Sequence, residues 1–166
     1  MTMFSRISIL ALVVLCNAAF VLVEKTDFSG TWAFKDQESI SGNLYSNGSP
    51  KQIKITQKEQ EIFIEKTSAD ENGKDLTSTD SLKYNAPFEK ITKSKRKKVI
   101  TIEWTADGKG FTQITTIYTA ADHSKAEFAY TDTYSMDNGH LILTRRAENF
   151  ENNESWESKS TYEKGN

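Results

Sequence analysis

The sequence predicts an all-β fold, a single antiparallel up-and-down barrel of about eight to ten strands. Polar and apolar residues alternate in short runs through most of its 166 residues, and turn-forming residues separate these runs. No segment has the periodicity of a long helix. Because closing a meander removes its unpaired edges, we expect a barrel and not an open sheet.

Period-two alternation defines the individual strands. The candidate strands are residues 30–36, 51–57, 61–67, 76–84, 97–105, 110–119, 126–135, 140–147 and 155–163. Turn residues such as Asn72-Gly73 and Asp137-Asn138-Gly139 lie between them and supply the positive φ angles of tight hairpins. Both prolines fall at run boundaries, as strands require. Residues 36–45 are the exception, because they could hold one helical turn that Gly42 would limit.

The first residues are predicted to lie outside the barrel. Arg6, an apolar run over 7–16 and small residues at 17–19 are typical of a secretory signal peptide, which we assign to residues 1–19. The barrel domain is then 24–166. We expect an extracytoplasmic location, periplasmic or secreted. Two alternatives remain: a membrane anchor, if this short apolar segment is retained, and a lipoprotein acylated at Cys16.

Composition restricts the chemistry. The net charge of −2 gives no sign of nucleic-acid binding, and a single cysteine allows no disulfide within the chain. His123 and His140 lack any pattern of accompanying ligands, so we predict no metal, and no cofactor motif is present. The basic run 93–98 is typical of a solvated hairpin, and membrane contact is expected only through this run or through a retained leader.

The predicted inner faces mix apolar and charged side chains. Phe128, Tyr130, Asp132 and Tyr134 share one face of their strand. Asp80 and Arg145 fall among apolar residues on theirs. A packed interior tolerates such groups only with partners, so the pattern indicates a partly solvated cavity, unless the polar groups lie at the barrel mouth.

Three segments resemble the calycins, the superfamily of lipocalins and fatty-acid-binding proteins. Gly30-Thr31-Trp32 resembles the G-x-W of their first strand, residues 137–144 resemble a late hairpin of fatty-acid-binding proteins, and 160–164 resemble their closing strand. Residues 27–32 are also similar to the start of exported bacterial lipocalin-like proteins. The resemblance implies a lipocalin-like barrel that Gly30 and Trp32 help to close.

The chain departs from fatty-acid-binding proteins at two places. Ser160 stands where the resemblance leads us to expect the arginine of an Arg-x-Tyr pair, and Tyr162 keeps the tyrosine. The connection over 36–50 is too short for a two-helix lid. The resemblance therefore implies a lidless barrel and does not name fatty acid as the ligand.

We predict that the barrel binds a small hydrophobic or amphipathic molecule, such as a lipid, in its lumen. The predicted ligand-binding residues are Trp104, Phe128, Tyr130, Tyr134, Arg145, Trp156 and Tyr162. Arg145 has an alternative role, packing under Trp32 to close the barrel. The alternative function is a non-catalytic envelope or secreted interaction protein with a filled barrel. We do not predict an enzyme, although Asp80 or Asp132 could serve as a catalytic carboxyl group.

Overall fold

The computed structural model describes residues 24–42 and 49–165, which form strands and turns and no helix. The strands are β1 (Gly30–Ser41), β2 (Gln52–Gln57), β3 (Glu61–Ala69), β4 (Asp75–Lys83), β5 (Phe88–Ile91), β6 (Lys97–Trp104), β7 (Gly110–Tyr118), β8 (Ala126–Asp137), β9 (His140–Asn149) and β10 (Glu154–Lys164). The predicted signal peptide, with Cys16, lies outside the described residues. The described part contains no helix long and apolar enough to cross a bilayer.

All ten strands belong to one antiparallel sheet with the order β4-β3-β2-β1-β10-β9-β8-β7-β6-β5. The first and last strands are neighbours, with Trp32 opposite Lys164 at one end of their ladder and Ser41 opposite Glu157 at the other. The sheet curls until its edge strands, β4 and β5, face each other. The prediction of an all-β, up-and-down barrel is confirmed, and the barrel is nearly closed.

Two local predictions were wrong. The sequence reading missed β5, a four-residue strand directly after Pro87. The helical turn suggested for residues 36–45 is absent from its described part, because β1 continues as a strand to Ser41. Register shifts between Phe34 and Asp36 and between Ser39 and Ser41 bend β1 so that it stays paired with β10.

One half of the barrel, which we call the closed half, is filled by side chains. It contains the start of β1 and the end of β10. Its buried apolar residues are Phe28, Trp32, Ile53, Ile55, Ile62, Ile64, Leu82, Ile100, Ile102, Phe111, Tyr134, Leu141, Leu143 and Tyr162. The Phe111 ring stacks on Tyr134 at 4.5 Å and meets the edge of Phe28 at 5.0 Å, both measured between ring centroids.

Trp32 and Phe28 lie together at the base of this core. The indole Nε1 of Trp32 donates a hydrogen bond to the Phe28 carbonyl oxygen at 3.0 Å, and the Lys164 ammonium lies 5.9 Å from the Trp32 ring centroid. Gly30, two residues before Trp32, has φ of +148°, a conformation that favours glycine. These residues cover the end of the closed half.

A seam separates the two edge strands. No backbone ladder joins β4 to β5 among the described residues. Asp80 of β4 bridges the gap instead, because its carboxylate accepts a hydrogen bond from Lys90 of β5 at 2.9 Å and lies 3.5 Å from the ammonium of Lys98 of β6. Ion pairs between side chains thus connect the strands at the seam, whereas backbone hydrogen bonds connect them elsewhere in the barrel.

We expect Asp80→Asn to loosen this seam and to reduce the free energy of unfolding by about 1–2 kcal/mol, since charged hydrogen bonds are lost while Lys98 and Lys90 stay partly exposed. Amide hydrogen exchange should accelerate in β4 and β5 and stay unchanged in β9. Asp75→Asn is the matched control, because Asp75 of the same strand forms an exposed pair with Lys51. Equal exchange in both variants would contradict a bridging role for Asp80.

Candidate functional site

The other half of the barrel, which we call the open half, carries the turns at 70–74, 92–96, 119–125 and 150–153. Cross-strand register places a row of polar residues around its inner face. Gln113 lies opposite Asp132, Asp132 opposite Arg145, and Arg145 opposite Ser158. Lys66 of β3 reaches this row from across the lumen. The next row toward the mouth is more apolar and includes Tyr130 and Trp156.

Asp132 is the centre of a buried ion-pair network. Arg145 binds it with two bonds, from Nε to Oδ1 at 2.6 Å and from Nη2 to Oδ2 at 2.7 Å. The Lys66 ammonium lies 3.0 Å from Oδ2 and also donates to Gln113 Oε1 at 3.3 Å. The side chain of Asp132 is 5% exposed. Such bidentate pairing fixes the direction of the guanidinium as well as its position.

The network changes the pKa values of its members. Burial raises the pKa of Asp132, but the charges of Arg145 and Lys66 outweigh burial, so its pKa lies well below the ordinary value. Burial lowers the pKa of Arg145, but the negative charge of Asp132 outweighs burial. The pKa of Arg145 is therefore raised. Asp132 and Arg145 are therefore both charged at neutral pH.

Asp80 forms a second cluster beside the first. Its burial raises its pKa, but the Lys90 hydrogen bond and the charges of Lys98 and Lys90 hold that pKa below the ordinary value. The pKa of Lys98 is itself lowered, first by burial and then by repulsion from Lys90 and Lys66, although Asp80 opposes the shift. Asp80 thus offsets the positive charge of Lys98 only in part.

The lowered pKa values argue against a general-acid role for either carboxyl group. A carboxyl group that acts as a general acid at neutral pH needs a raised pKa, and the pKa values of Asp80 and Asp132 are both lowered. Within residues 24–42 and 49–165, no three or more His, Cys, Asp or Glu side chains are grouped so as to hold a metal ion.

Described residues of the open half line two adjoining cavities. A polar cavity of about 170 Å³ is lined by residues that include Lys66, Asp80, Lys98, Asp132 and Arg145. An apolar cavity of about 240 Å³ is lined by Phe128, Tyr130, Ala147 and Trp156, with Glu148, Asn149 and Glu154. Tyr130 lines both cavities. The open half therefore offers a charged compartment beside an apolar one.

A wider cleft of about 620 Å³ lies at the opposite end of the barrel. The turn after β2 and the loop after β4 form it, and exposed Lys58, Glu59 and Lys83 are among its lining residues. Exposed charges contribute little to binding because water and salt screen them. We therefore place the candidate site in the open half, where the charges are buried and fixed.

The structure distributes the predicted ligand-binding residues over both halves. Phe128, Tyr130 and Trp156 line the apolar cavity, and Arg145 lines the polar one. Trp104 packs between Tyr84 and the aromatic core, and Tyr134 is buried against Phe111, as described above. Tyr162 is buried beside Phe34, with 5.8 Å between their ring centroids. None of these last three lines either cavity.

The alternative role of Arg145 was wrong. Arg145 pairs in register with Ser158, whereas Trp32 pairs with Lys164, six residues further along β10. At about 3.3 Å per residue this separation is about 20 Å, so Arg145 does not pack under Trp32. The cation beside the Trp32 ring is Lys164.

The sequence reading missed the lysines of the site. Lys66 follows Ile62 and Ile64 at strand spacing, and Lys98 precedes Ile100 by two residues, so alternation places both lysines on inner faces. That signal was present in the sequence. What alternation does not give is the partner, because Lys66 meets a carboxylate on a strand that is not its neighbour.

Three cations of the basic run 93–98 form ion pairs with carboxylates of the barrel. Arg96 binds Glu127 at 2.7 Å, Lys97 binds Glu89 at 3.1 Å, and Lys98 points inward to Asp80. The run is therefore a turn and strand start whose last three cations each pair with a carboxylate of the same barrel.

Solved structures resemble this barrel over most of its length. Human cRBP IV matches with 18% sequence identity and a TM-score of 0.56, covering 84% of this chain and 99% of that one. A fatty-acid-binding protein from brain tissue of Drosophila melanogaster matches at 19% and 0.53, covering 82% and 99%. A zebrafish ileal bile-acid-binding protein complexed with cholic acid matches at 16% and 0.50, covering 83% and 98%.

The fold is a calycin-like barrel. No protein-family model matches the chain, and no curated protein matches its sequence. At these identities the structural likeness establishes the fold of the calycin-like barrel. Its site must be argued from its own residues.

Proposed function

We propose that this calycin-like barrel binds a small, partly apolar molecule in its open half. The observation that carries the proposal is the pair of adjoining cavities, one charged and one apolar, that share Tyr130. Ligand sites typically combine apolar walls with a few placed polar groups, and this arrangement has both. The two cavities together reach the lower part of the usual range of ligand-site volumes, about 300–1,000 Å³.

The similar solved structures support the proposal through the molecules that those proteins bind. One is a fatty-acid-binding protein, and another is a bile-acid-binding protein with cholic acid bound. Those ligands are amphipathic, with an apolar body and a negative group. We also propose that the protein works outside the cytoplasm, periplasmic or secreted, which rests on the leader-like residues 1–19.

The alternative of a filled, surface-acting barrel fits the closed half only. In that half, Phe111 and Tyr134 are fully buried and their rings stack directly on each other. The charged network of the open half has no use in a purely structural interior, because apolar side chains of similar size are often as stable as buried ion pairs. This comparison favours binding over a filled barrel.

Native mass spectrometry of the protein purified from its own host tests the proposal. We expect a small-molecule adduct that is lost on denaturation, and the protein mass itself reports whether residues 1–19 have been removed. Ala147→Phe should abolish the adduct, since Ala147 lines the apolar cavity and a phenyl ring would occupy it.

Ala129→Phe provides the matched control, because Ala129 lies on the outer face of the neighbouring strand opposite Glu148. Its adduct should persist. Loss of the adduct in both variants would indicate a general disturbance of the barrel. Its retention in both would remove the apolar cavity as the binding site.

A further inference from the structure

The inner surface of the open half carries more positive than negative charge. Within residues 24–42 and 49–165, its cationic side chains are Lys66, Lys90, Lys98 and Arg145, and they share the carboxylates of Asp80 and Asp132. A buried charge is unfavourable unless an opposite charge accompanies it. The cluster is therefore electrostatically incomplete and would be stabilised by an anion.

Lys98 is the cation best placed to receive that anion. Its ammonium lies 3.5 Å from Asp80 Oδ2, whereas Lys90 holds Oδ1 of the same carboxylate at 2.9 Å. The Lys98 side chain is 21% exposed and lines the polar cavity together with Lys66 and Arg145. Asp80 and Asp132 also line this cavity, so its lining carries three cations and two carboxylates and has one positive charge in excess.

A buried donor lies next to the same row. Ser158 is 1% exposed, and its hydroxyl has no hydrogen-bond partner among the described residues. It lies opposite Arg145 in the β9–β10 ladder. Buried hydroxyls are normally satisfied, so Ser158 points independently to a polar group that completes this part of the lumen.

The surrounding residues set the orientation of the ligand. Glu154 lines the apolar cavity and is exposed at the mouth, whereas Glu148 pairs with Arg146 at 2.9 Å. The Glu154 carboxylate disfavours a negative group at the mouth. The cations deeper in the barrel favour one, so the negative group enters first.

The closed half sets the size of the ligand. Phe111 and Tyr134, directly below the charged row, are fully buried in the aromatic core and line neither cavity. A long chain could not continue downward without displacing them. The space that the described residues line there is one polar compartment and one short apolar compartment.

We propose that the ligand is a compact organic anion whose negative group binds beside Lys98, Lys66 and Arg145 and whose aromatic or alicyclic body lies between Tyr130 and Trp156. This inference rests on the proposed function and adds the charge, orientation and size of the ligand. It excludes a long unbranched chain as the preferred occupant.

Two fluorescent probes with the same aromatic body test the charge. The probes are 8-anilinonaphthalene-1-sulfonate, which is anionic, and N-phenyl-1-naphthylamine, which is neutral. We expect the wild-type protein to bind the sulfonate at least tenfold more tightly. Lys98→Met should weaken sulfonate binding about tenfold and leave the neutral probe unchanged, while Lys98→Arg should restore it.

Lys97→Met is the matched control, because Lys97 precedes Lys98 on the opposite face and pairs with Glu89 outside the lumen. It should leave both affinities unchanged. Thermal unfolding of each variant shows that the barrel is intact. Equal losses in the Lys97 and Lys98 variants, or equal wild-type affinity for the two probes, would overturn the anion site.

Competition tests the size. 1-Naphthoate should displace the bound sulfonate probe, and hexadecanoate should do so at least tenfold less effectively. The reverse order would overturn the compact ligand. Tight binding of the neutral probe with no preference for the anion defeats only this inference. No binding of either probe, together with no native adduct, defeats the proposed function as well.

Discussion

Asp132→Asn should lower the free energy of unfolding by about 3–5 kcal/mol, the range observed when one member of a buried ion pair is removed. The loss is large because two cations, Arg145 and Lys66, depend on the one carboxylate. Asparagine keeps the shape of the side chain but not its charge, so both buried cations lose the carboxylate that offsets their charge. Urea denaturation at pH 7 measures the change.

The low pKa of Asp132 predicts how this contribution depends on pH. The folded-state pKa lies below the ordinary value of 3.8. The contribution to stability is therefore complete above that value and is lost as the pH falls from there through the folded-state pKa. Between pH 6 and pH 3 the wild-type protein should lose more stability than Asp132→Asn.

A triple variant separates charge from packing. Replacing Asp132 by Leu together with Arg145→Met and Lys66→Met removes every charge of the network and keeps its volume. Its stability should lie within about 1 kcal/mol of the wild type or above it, since apolar replacements of buried ion pairs are often neutral or stabilising. If Asp132→Asn alone costs less than about 1 kcal/mol, the network is not as buried as described.

Phe111→Ala should cost a similar amount, about 3–5 kcal/mol, through loss of buried apolar area and the cavity left behind. Phe111 is completely buried, stacks on Tyr134 and meets Phe28 and Trp104 edge-on. The surrounding aromatic rings are held by separate segments of the chain, β6, β8 and the residues before β1, so they can close the cavity only in part. Guanidinium denaturation with unchanged m-value would report a change of stability alone.

Phe150→Ala is the control for this prediction. Phe150 is 46% exposed in the turn between β9 and β10, and its truncation should change stability by less than about 0.5 kcal/mol. Similar losses in the two variants would contradict a closed half that is packed around Phe111. The comparison therefore distinguishes a filled half from a hollow one.

Alternation predicted most of the fold, because strand period and turn residues are local properties. Alternation did not predict β5, because four residues after Pro87 are too few to show a period of two. Alternation also did not predict the extension of β1 to Ser41. Pairing with β10, with two register shifts, maintains this extension, and local sequence preference does not. The length of an element depends in these cases on partners that are distant in sequence.

The candidate site was predictable in part for the same reason. Alternation placed Asp132 and Arg145 on inner faces, and the structure has them there, bound to each other. It could not show that Lys66 of β3 crosses the lumen to β8, since the two strands are not neighbours in the sheet. Nor could it divide the barrel into halves, because packing around Phe111 depends on how the sheet curls.

The pairing of β1 with β10 has a consequence for the order of folding. β10, the eleven residues Glu154–Lys164, lies between β1 and β9 and is the last of the described strands. Joining it to β1 closes a loop of almost the whole described chain, which carries a high entropic cost and makes ring closure a slow step. Until then β1 and β9 present unpaired edges to other chains. A chain without β10 would therefore leave an open, association-prone sheet, so residues Glu154–Lys164 decide whether the chain closes on itself or pairs with its neighbours.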